Sequence, residues 1–249
     1  MGRIAKWTGQ GDRLILVHGN APPDSLAPLI DGLADSFRVG LACRAGYGDE
    51  GAAEPASDAS RALLAELTAE GIERVHLVGH SYGAYVALRC ALDAPERIER
   101  LTLLSPLSGV PEDEVPLYEG GAAALRAGDD LTGLLVERWL APAWVEAHPE
   151  VADRVRRWQD DARAALADDI ALTAREPDLS HAAAAVSAPT LVRVGALDVA
   201  TPPDRARSLA DTIGARFEQV DGVAHLLALE DVEGTAGSLR AFHGAGSSP

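Results

Sequence analysis

Short apolar runs alternate along the chain with longer segments of helical periodicity. Each run is rich in Leu, Ile and Val and is bounded by polar residues or glycine, which is typical of strands buried in a parallel sheet. The runs cover residues 13–18, 37–43, 74–79, 101–105, 189–195 and 216–220. Helical segments follow the second, third and fifth runs, at 57–70, 82–94 and 203–213. This alternation predicts an α/β fold, with a mostly parallel sheet flanked by helices.

The alternation stops between residues 111 and 188, where helical periodicity continues without a convincing strand. Two apolar stripes carry it: Leu131, Leu135 and Trp139 in one helix, which Pro142 ends, and Val151, Val155, Trp158, Ala162 and Ala165 in the next. We therefore predict a helical lid at 111–188, inserted after the strand at 101–105. Residues 1–110 and 189–249 then form the core domain, with a frayed end at 243–249.

The composition narrows the class of protein. The chain has 249 residues, 47% of them hydrophobic, which suits one large core. No apolar run reaches the roughly 18 residues of a membrane span, and the first residues lack the apolar stretch of a signal peptide. Cys43 and Cys90 lie far apart, without the spacing of a metal site or a disulfide framework. These features predict a cytoplasmic protein that uses neither a membrane nor a metal.

The chain is strongly acidic, with 22 basic and 38 acidic residues and a net charge of −16. Such a surface repels phosphate backbones, so nucleic acid is not expected as a partner. It also repels anionic substrates unless a cation in the pocket overrides the field. The pattern singles out none of the arginines at 111–188, which are Arg126, Arg138, Arg154, Arg156, Arg157, Arg163 and Arg175. We therefore expect faster turnover of neutral substrates than of carboxylate-bearing ones.

The sharpest chemical signal is Gly79-His80-Ser81-Tyr82-Gly83, a G-x-S-x-G pattern that directly follows a predicted strand and opens a predicted helix. Crowding in such a turn requires glycine on both sides of the serine, and the turn lifts the Ser81 hydroxyl clear of the sheet. The helix N-terminus beneath it favours developing negative charge. This placement indicates a nucleophilic serine.

An acid and a histidine follow Ser81, each just after a later strand. Asp198 comes after the fifth predicted strand and His225 after the sixth. A serine hydroxyl needs a base to take its proton, and the base needs a carboxylate to orient it. Asp204 is a rival for the acid, but Asp198 lies closer to the strand end. The sequence therefore predicts a triad of Ser81, His225 and Asp198.

The first predicted strand ends in His18-Gly19-Asn20. In hydrolases with a nucleophile turn of this kind, one oxyanion-hole N–H comes from the loop after that strand and the other from the residue after the nucleophile. These positions correspond to the backbone of Asn20 and Tyr82. His18 is expected to be a hydrogen-bonding residue of the loop rather than a catalyst.

Four segments together resemble the α/β-hydrolase superfamily over nearly the whole chain: HGN (18–20), GHSYG (79–83), GALDVATPP (195–203) and VAHLLALE (223–230). The turn RAGYGD (44–49) resembles the R-x-G-x-G-x-S turn of that superfamily, and the segment 136–158 resembles the helical lid of the 3-oxoadipate enol-lactonase group of lactonases and esterases. Because the chain starts close to its first strand, we expect the usual leading hairpin to be short or missing.

The resemblance implies a serine hydrolase that cleaves a small carboxylic ester or lactone through an acyl-enzyme on Ser81, with no metal and no organic cofactor. The same triad suits C–C bond hydrolases and cofactor-free perhydrolases or haloperoxidases, while a displaced triad suits a non-catalytic small-molecule receptor. Serine at 81 argues against haloalkane dehalogenases and epoxide hydrolases, which use aspartate. Whether the protein forms a homo-oligomer is left open.

Three of the four tryptophans, Trp139, Trp144 and Trp158, fall within the predicted lid. Aromatic side chains supply large apolar contact surfaces, so we expect these three in an apolar, substrate-binding roof over Ser81. For Trp139 and Trp158, which lie on the apolar stripes, packing is the alternative role. Trp144 lies off the stripes and is the stronger candidate for substrate contact.

Overall fold

A computed structural model describes residues 4–47 and 52–244 of the chain. Seven strands form one sheet: β1 Ile4–Thr8, β2 Arg13–Val17, β3 Arg38–Ala42, β4 Val75–His80, β5 Ile98–Leu104, β6 Thr190–Gly195 and β7 Arg216–Val220. Their order across the sheet is β1-β3-β2-β4-β5-β6-β7, and every neighbouring pair is parallel except β1 and β3. The sheet confirms the predicted α/β fold and all six predicted strands.

The leading strand is short but present. β1 pairs antiparallel with β3, with Trp7 opposite Gly40 and Thr8 opposite Val39. It does not form a hairpin with β2, because β3 and β4 already occupy both edges of β2. The chain before β2 therefore extends the sheet at the free edge of β3.

Helices cover both faces of the sheet and continue the chain between β5 and β6. Six belong to the sheet layers: α1 Ala27–Leu33, α2 Ala56–Ala69, α3 Tyr82–Asp93, α9 Pro203–Ile213, α10 Leu227–Glu230 and α11 Val232–His243. Five lie between β5 and β6: α4 Val115–Ala127, α5 Thr132–Trp139, α6 Pro142–Ala147, α7 Val151–Asp161 and α8 Arg163–Thr173. None of these helices in the described part of the chain has the length and apolar character needed to span a membrane.

Two apolar layers hold the sheet. On one face, side chains of α2, α3 and α9 pack on the strands, among them Leu63, Leu88 and Leu209. On the other face, α1 and α11 contribute Leu29 and Leu239. Burying one such leucine stabilises the fold by about 1.5–3 kcal/mol. The carboxyl ends of the parallel strands, where loops meet, are left as the edge that can carry a site.

The segment between β5 and β6 has an apolar core of its own that also contacts the sheet domain. Trp139, Val155 and Trp158 pack there with Ala200 and Leu226 of the loops at the strand ends. These five helices occupy the region that the sequence assigns to a lid. The division into core and lid domains stays a prediction.

Two details of the predicted stripes are wrong. The stripe from Val151 does not continue through Ala162, because α7 ends at Asp161 and Ala162 leaves helical geometry with φ −126° before α8 starts. Pro142 does not end α5, which stops at Trp139; it occupies the first position of α6, where proline needs no N–H partner.

The expected frayed end is also wrong at its first residue. His243 closes α11, is 1% exposed, and lies 2.8 Å through Nε2 from the Thr102 hydroxyl of β5. The last residues, 245–249, lie outside the described chain. His243 extends the buried face of α11 one turn beyond Leu239, and it packs there against the Thr102 hydroxyl and the rings of Phe37 and His76.

Candidate active site

Ser81 occupies the turn between β4 and α3 with φ 56° and ψ −124°. A positive φ is uncommon for a residue with a side chain and persists only where the surroundings enforce it. The flanking glycines allow the turn, since a Cβ on Gly79 would lie 2.3 Å from the Gly83 carbonyl oxygen, and one on Gly83 would lie 2.2 Å from the Val17 carbonyl oxygen. The sequence thus presents Ser81 at the carboxyl edge of the sheet.

The structure brings Ser81, His225 and Asp198 into one hydrogen-bonded row. Ser81 Oγ lies 2.9 Å from His225 Nε2, and His225 Nδ1 lies 2.8 Å from Asp198 Oδ2. All three residues are buried, Ser81 being the most exposed at 8%. With Asp198 ionised, Nδ1–H donates to the carboxylate, which leaves Nε2 free to accept the Ser81 hydroxyl.

Asp198 is held as an anion by more than the histidine. Its Oδ1 accepts the backbone N–H of Ala200 at 2.9 Å and of Thr201 at 2.8 Å, and its Oδ2 accepts the Thr201 hydroxyl at 2.8 Å. Burial raises the pKa of this carboxyl, but the charge and hydrogen bond of His225 and the bonds from Thr201 outweigh it and lower the pKa below its ordinary value. Asp204 is exposed in the first turn of α9, so the geometry favours Asp198.

The loop that carries His225 is tied to the helical segment above it. The backbone N–H groups of His225 and Leu226 both donate to the Trp139 carbonyl, each at 3.1 Å. The Glu230 carboxylate accepts the N–H of Leu226 at 3.2 Å and that of Ala141 at 2.8 Å. The free carbonyl at the end of α5 therefore helps to set the position of His225.

His80 supports the same loop from below. Its Nε2–H donates to the His225 carbonyl at 2.8 Å. Burial, with a smaller contribution from the charge of His225, lowers the pKa of His80 to about 3. His80 is therefore neutral at any pH near 7 and acts through the backbone of His225.

The loop His18-Gly19-Asn20 lies directly against the nucleophile, since a Cβ on Gly19 would lie 2.7 Å from Ser81 Cβ. Asn20 lines the same cavity as Ser81. Tyr82 is the first residue of α3, where backbone N–H groups have no acceptor within the helix. Both predicted oxyanion-hole residues are thus adjacent to Ser81.

His18 contacts the loop rather than the nucleophile. Its Nε2 accepts the backbone N–H of Arg44 at 3.0 Å, and its Nδ1–H donates to the Gly19 carbonyl at 2.8 Å. Burial, followed by the charge of Arg44, lowers the pKa of His18 well below its ordinary value. These contacts match the structural role expected for it. Of the 44–49 turn, residues 48 and 49 lie outside the described chain.

A cavity of about 760 Å³, open solvent at its mouth included, lies over Ser81 and His225. The polar side chains in its lining include Asn20, Thr173 and Thr201. Its other walls are mainly apolar and come from α4, α5 and α8, with Leu117, Leu131, Leu134, Leu135 and Ile170 among them. Among the described residues, no three His, Cys, Asp or Glu side chains form a group that could hold a metal ion. The geometry suits a small ligand with one polar and one apolar part.

Only one of the three predicted tryptophans lines this cavity. Trp139 does so, whereas Trp144 and Trp158 do not. Trp144 stacks on His148, with ring centroids 4.1 Å apart, and Trp158 Nε1–H donates to Asp24 Oδ2 at 2.8 Å. The expectation of substrate contact is therefore corrected for Trp144 and Trp158, which have local partners instead.

The cavity also contains a pair that sequence analysis missed. Arg138 of α5 and Tyr118 of α4 both line it, and the Arg138 guanidinium carbon lies 5.7 Å from the centre of the Tyr118 ring. The sequence does contain a pattern that predicts this position for Arg138. It follows Leu131 by seven residues and Leu135 by three, which is the spacing of one helix face. The arginine therefore shares the face that carries the cavity wall.

A nucleophile turn after the central strand of a mostly parallel sheet, with an acid and a histidine from later strand ends, defines an α/β hydrolase. The chain belongs to the Alpha/beta hydrolase family, whose model matches residues 14–237.

Solved structures share the fold over almost the whole chain. A thermophilic esterase from Thermogutta terrifontis, with malate bound, superposes with a TM-score of 0.87 at 25% identity, covering 96% of this chain and 92% of the other. The enol-lactonase from Burkholderia xenovorans LB400 superposes with a TM-score of 0.87 at 21% identity, covering 96% and 95%. The second likeness concerns the fold alone.

Sequence relatives align over shorter parts. Rhodomycin D methylesterase DauP of Streptomyces sp. (strain C5) is 31% identical over 209 residues, which cover 71% of this chain and 69% of that protein. The 2-hydroxy-6-oxononadienedioate/2-hydroxy-6-oxononatrienedioate hydrolase of Paraburkholderia phymatum is 34% identical over 129 residues, 48% of this chain and 45% of the relative. The chain thus spans only about half the length of this second relative.

Proposed function

We propose that the protein is a serine hydrolase that cleaves a small carboxylic ester or lactone through an acyl-enzyme on Ser81. The observation that carries the proposal is the row of contacts from Ser81 Oγ to His225 Nε2, 2.9 Å, and from His225 Nδ1 to Asp198, 2.8 Å. A hydroxyl is a weak nucleophile until a base takes its proton as it attacks, and this geometry supplies that base.

In the proposed first step, Ser81 Oγ attacks the substrate carbonyl carbon while its proton passes to His225 Nε2. The tetrahedral intermediate then expels the alcohol, which takes that proton from His225, and the acyl group stays on Ser81. In a lactone the alcohol remains tethered to the acyl group. In the second step, water attacks the acyl carbon of the ester on Ser81 and gives a proton to His225 Nε2. The tetrahedral intermediate then releases the acid, and His225 returns that proton to Ser81 Oγ.

The carbonyl oxygen gains negative charge in both steps. We assign its stabilisation to the backbone N–H groups of Asn20 and Tyr82, which belong to the two segments that flank Ser81. The N-terminus of α3 adds a favourable dipole beneath them. Asp198 stays ionised, because its pKa is lowered, and stabilises the imidazolium that forms on His225.

The relatives support ester chemistry without deciding the bond. DauP is a methylesterase and the Thermogutta terrifontis protein an esterase. Carbon–carbon bond hydrolysis is the second candidate. The aligned Paraburkholderia phymatum hydrolase is named for a hydroxy-oxo-dienedioate, a compound that has no ester bond to cleave. Perhydrolysis on the same triad and non-catalytic ligand binding have no observation of their own in their favour.

A panel of esters and lactones of graded length, with Ser81→Ala as the matched control, tests the proposal. We expect wild-type protein to hydrolyse members of the panel and to be labelled by a fluorophosphonate, and Ser81→Ala to do neither. Absence of labelling would favour a ligand receptor. Labelling without turnover of any ester or lactone would favour carbon–carbon bond cleavage. Assays with 2-hydroxy-6-oxononadienedioate, the substrate in the name of the Paraburkholderia phymatum relative, then test that alternative.

A further inference from the structure

Arg138 is the only side chain with a permanent charge among the described residues that line the cavity over Ser81, and no Asp or Glu lines it. This is unusual in a chain with a net charge of −16. Arg138 is partly buried, so its guanidinium is less well solvated than one on the open surface and loses less solvation on meeting an anion. The cavity therefore carries a local positive charge, whereas the chain as a whole carries a net negative charge.

Arg138 differs in its contacts from the six other arginines of residues 111–188. Five of these six lie within 4.0 Å of an acidic side chain, in the pairs Arg126–Asp168, Arg154–Asp24, Arg156–Asp130, Arg163–Asp160 and Arg175–Glu119. The sixth, Arg157, is exposed to solvent and does not line the cavity. Arg138 has no such partner among the described residues. Its neighbour is Tyr118, whose ring lies against the guanidinium and whose side chain also hydrogen-bonds with it, and neither contact supplies a negative charge.

The acidic residue that could neutralise Arg138 is already bound elsewhere. Glu114 lies near enough for Arg138 to affect it, but its pKa is lowered first by a hydrogen bond from Arg205, with Arg138 the smaller influence. Arg205 Nη2–H donates to the Glu114 carboxylate. Glu114 and Arg205 both line the neighbouring cavity and not the one over Ser81.

We propose that Arg138 binds a carboxylate carried by the substrate, so that the preferred substrates are esters or lactones of dicarboxylic acids. A guanidinium offers a planar fork of donors that matches a carboxylate, and the Tyr118 ring restricts its orientation. The apolar walls from α4 and α5 accept the chain between the two ends. The inference rests on the proposed function, because it deepens the substrate class of the same site.

A preference for carboxylate-bearing substrates is the opposite of the preference that net charge predicts. Long-range repulsion at −16 falls off within about 10 Å at ordinary ionic strength, whereas a contact ion pair in a partly enclosed cavity is screened much less. Local geometry therefore outweighs composition.

The experiment compares monoesters of dicarboxylic acids of increasing chain length with twins in which the free carboxylate is replaced by a carboxamide of equal size. The variants are Arg138→Gln and the matched control Arg126→Gln, which removes the same charge from an exposed pair on α4. We expect wild type to prefer the carboxylate at its best chain length. Arg138→Gln should lower the ratio of kcat/KM between twins by about tenfold to a hundredfold, mainly through KM.

Arg126→Gln should keep that ratio within about twofold, since exposed pairs contribute little. Arg138→Lys, which retains the charge but not the fork, should fall between wild type and Arg138→Gln. An unchanged ratio in folded Arg138→Gln, checked by circular dichroism, or a wild-type preference for the carboxamide at every length, would overturn the inference.

A binding measurement separates this inference from the proposed function. Calorimetry with Ser81→Ala and the same monoesters reports carboxylate recognition without turnover. If wild type hydrolyses none of the esters, the proposed function fails, while tighter binding of the carboxylate twin that Arg138→Gln abolishes still supports the anion site. If the esters are hydrolysed but the twins bind equally, the function stands and the anion site is overturned.

Discussion

The Arg44 guanidinium and the Asp169 carboxylate form a two-pronged ion pair in the interior, with the side chains 3% and 0% exposed. One prong, from Nη1 to Oδ1, measures 2.9 Å. The pair joins the loop after β3 to α8, two segments 125 residues apart. Burial lowers the pKa of Arg44, but the attraction of Asp169 outweighs it and raises the pKa above its ordinary value. Arg44 is thus a permanent buried cation whose charge Asp169 compensates.

The same guanidinium holds the loop beside Ser81. Its Nε–H donates to the His18 carbonyl at 3.1 Å, and Nη2–H donates to the Gly19 carbonyl at 2.6 Å. The described chain contains no cis peptide bond, so the Gly19 carbonyl and the Asn20 N–H point in opposite directions across one peptide plane. By fixing that carbonyl, Arg44 sets the direction of the proposed Asn20 donor.

Asp169→Asn should therefore reduce both stability and catalysis. Leaving Arg44 unpaired in the interior should lower the free energy of unfolding by about 3–5 kcal/mol. Loosening of the Gly19–Asn20 peptide should lower kcat by about tenfold or more with little change in KM, because the oxyanion forms only in the transition state. Urea unfolding and steady-state kinetics at a temperature where the variant is folded measure the two effects.

Asp168→Asn, one position earlier in α8, is the matched control. Asp168 pairs with Arg126 at the surface, with 44% and 51% of the side chains exposed. Its loss should change stability by about 1 kcal/mol or less and leave kcat unaltered. If Asp169→Asn loses stability but keeps wild-type kcat, Arg44 supports the fold alone and does not position the oxyanion loop.

Ser81→Ala should abolish turnover without unfolding the protein. The substitution removes one hydroxyl, whose partner is His225 Nε2. Alanine keeps the Cβ, so the backbone at φ 56° meets no new steric contact. We expect kcat to fall by about a million-fold, by analogy with the loss of a catalytic serine in a protease. Thermal unfolding should show a Tm equal to wild type within a few degrees, and a strongly lowered Tm would place Ser81 in the packing.

Asp198→Asn should lower kcat by about 10⁴, because the amide favours the wrong tautomer of His225. Asp204→Asn, at the exposed start of α9, should leave kcat within about twofold. The kinetics of the two variants on one ester decide between the acids. A larger loss in Asp204→Asn would mean that the hydrogen bond from His225 to Asp198 is not the catalytic one.

Stability should fall steeply below neutral pH because burial lowers the pKa of four histidines in the folded state, moderately for His76 and further for the other three. Burial is the largest cause that lowers the pKa of His18, His80 and His243, that of His80 to about 3. The unfolded chain takes up these protons near pH 6.5, so their contribution is complete above that pH and is lost as pH falls toward the folded values. Each histidine should remove about 1.4 kcal/mol per pH unit once its unfolded form is protonated.

Urea unfolding between pH 7.5 and pH 5 measures this slope. Because burial lowers the pKa of His243 well below its ordinary value, His243→Gln should reduce the slope by about one proton. Equal slopes in wild type and His243→Gln would show that His243 does take up a proton in the folded protein.

The sequence by itself determined what depends on neighbours along the chain. Apolar runs and helical spacing identified every parallel strand, because buried strands need apolar residues throughout. Glycines at 79 and 83 marked the turn at Ser81, because no Cβ fits there. Chain order then indicated Asp198 and His225, since the carboxyl ends of parallel strands meet at one edge.

Tertiary structure decided what depends on residues far apart in the chain. The sequence pattern favours Trp144 over Trp139 for substrate contact. Only Trp139 reaches the cavity, because the short helix that starts at Pro142 places Trp144 against His148. Net charge predicts a preference for neutral substrates, and only the tertiary structure shows that Arg138 lines the cavity beside Tyr118. The Arg44–Asp169 pair joins segments that share no pattern, because a buried charge needs a partner in space and not in sequence.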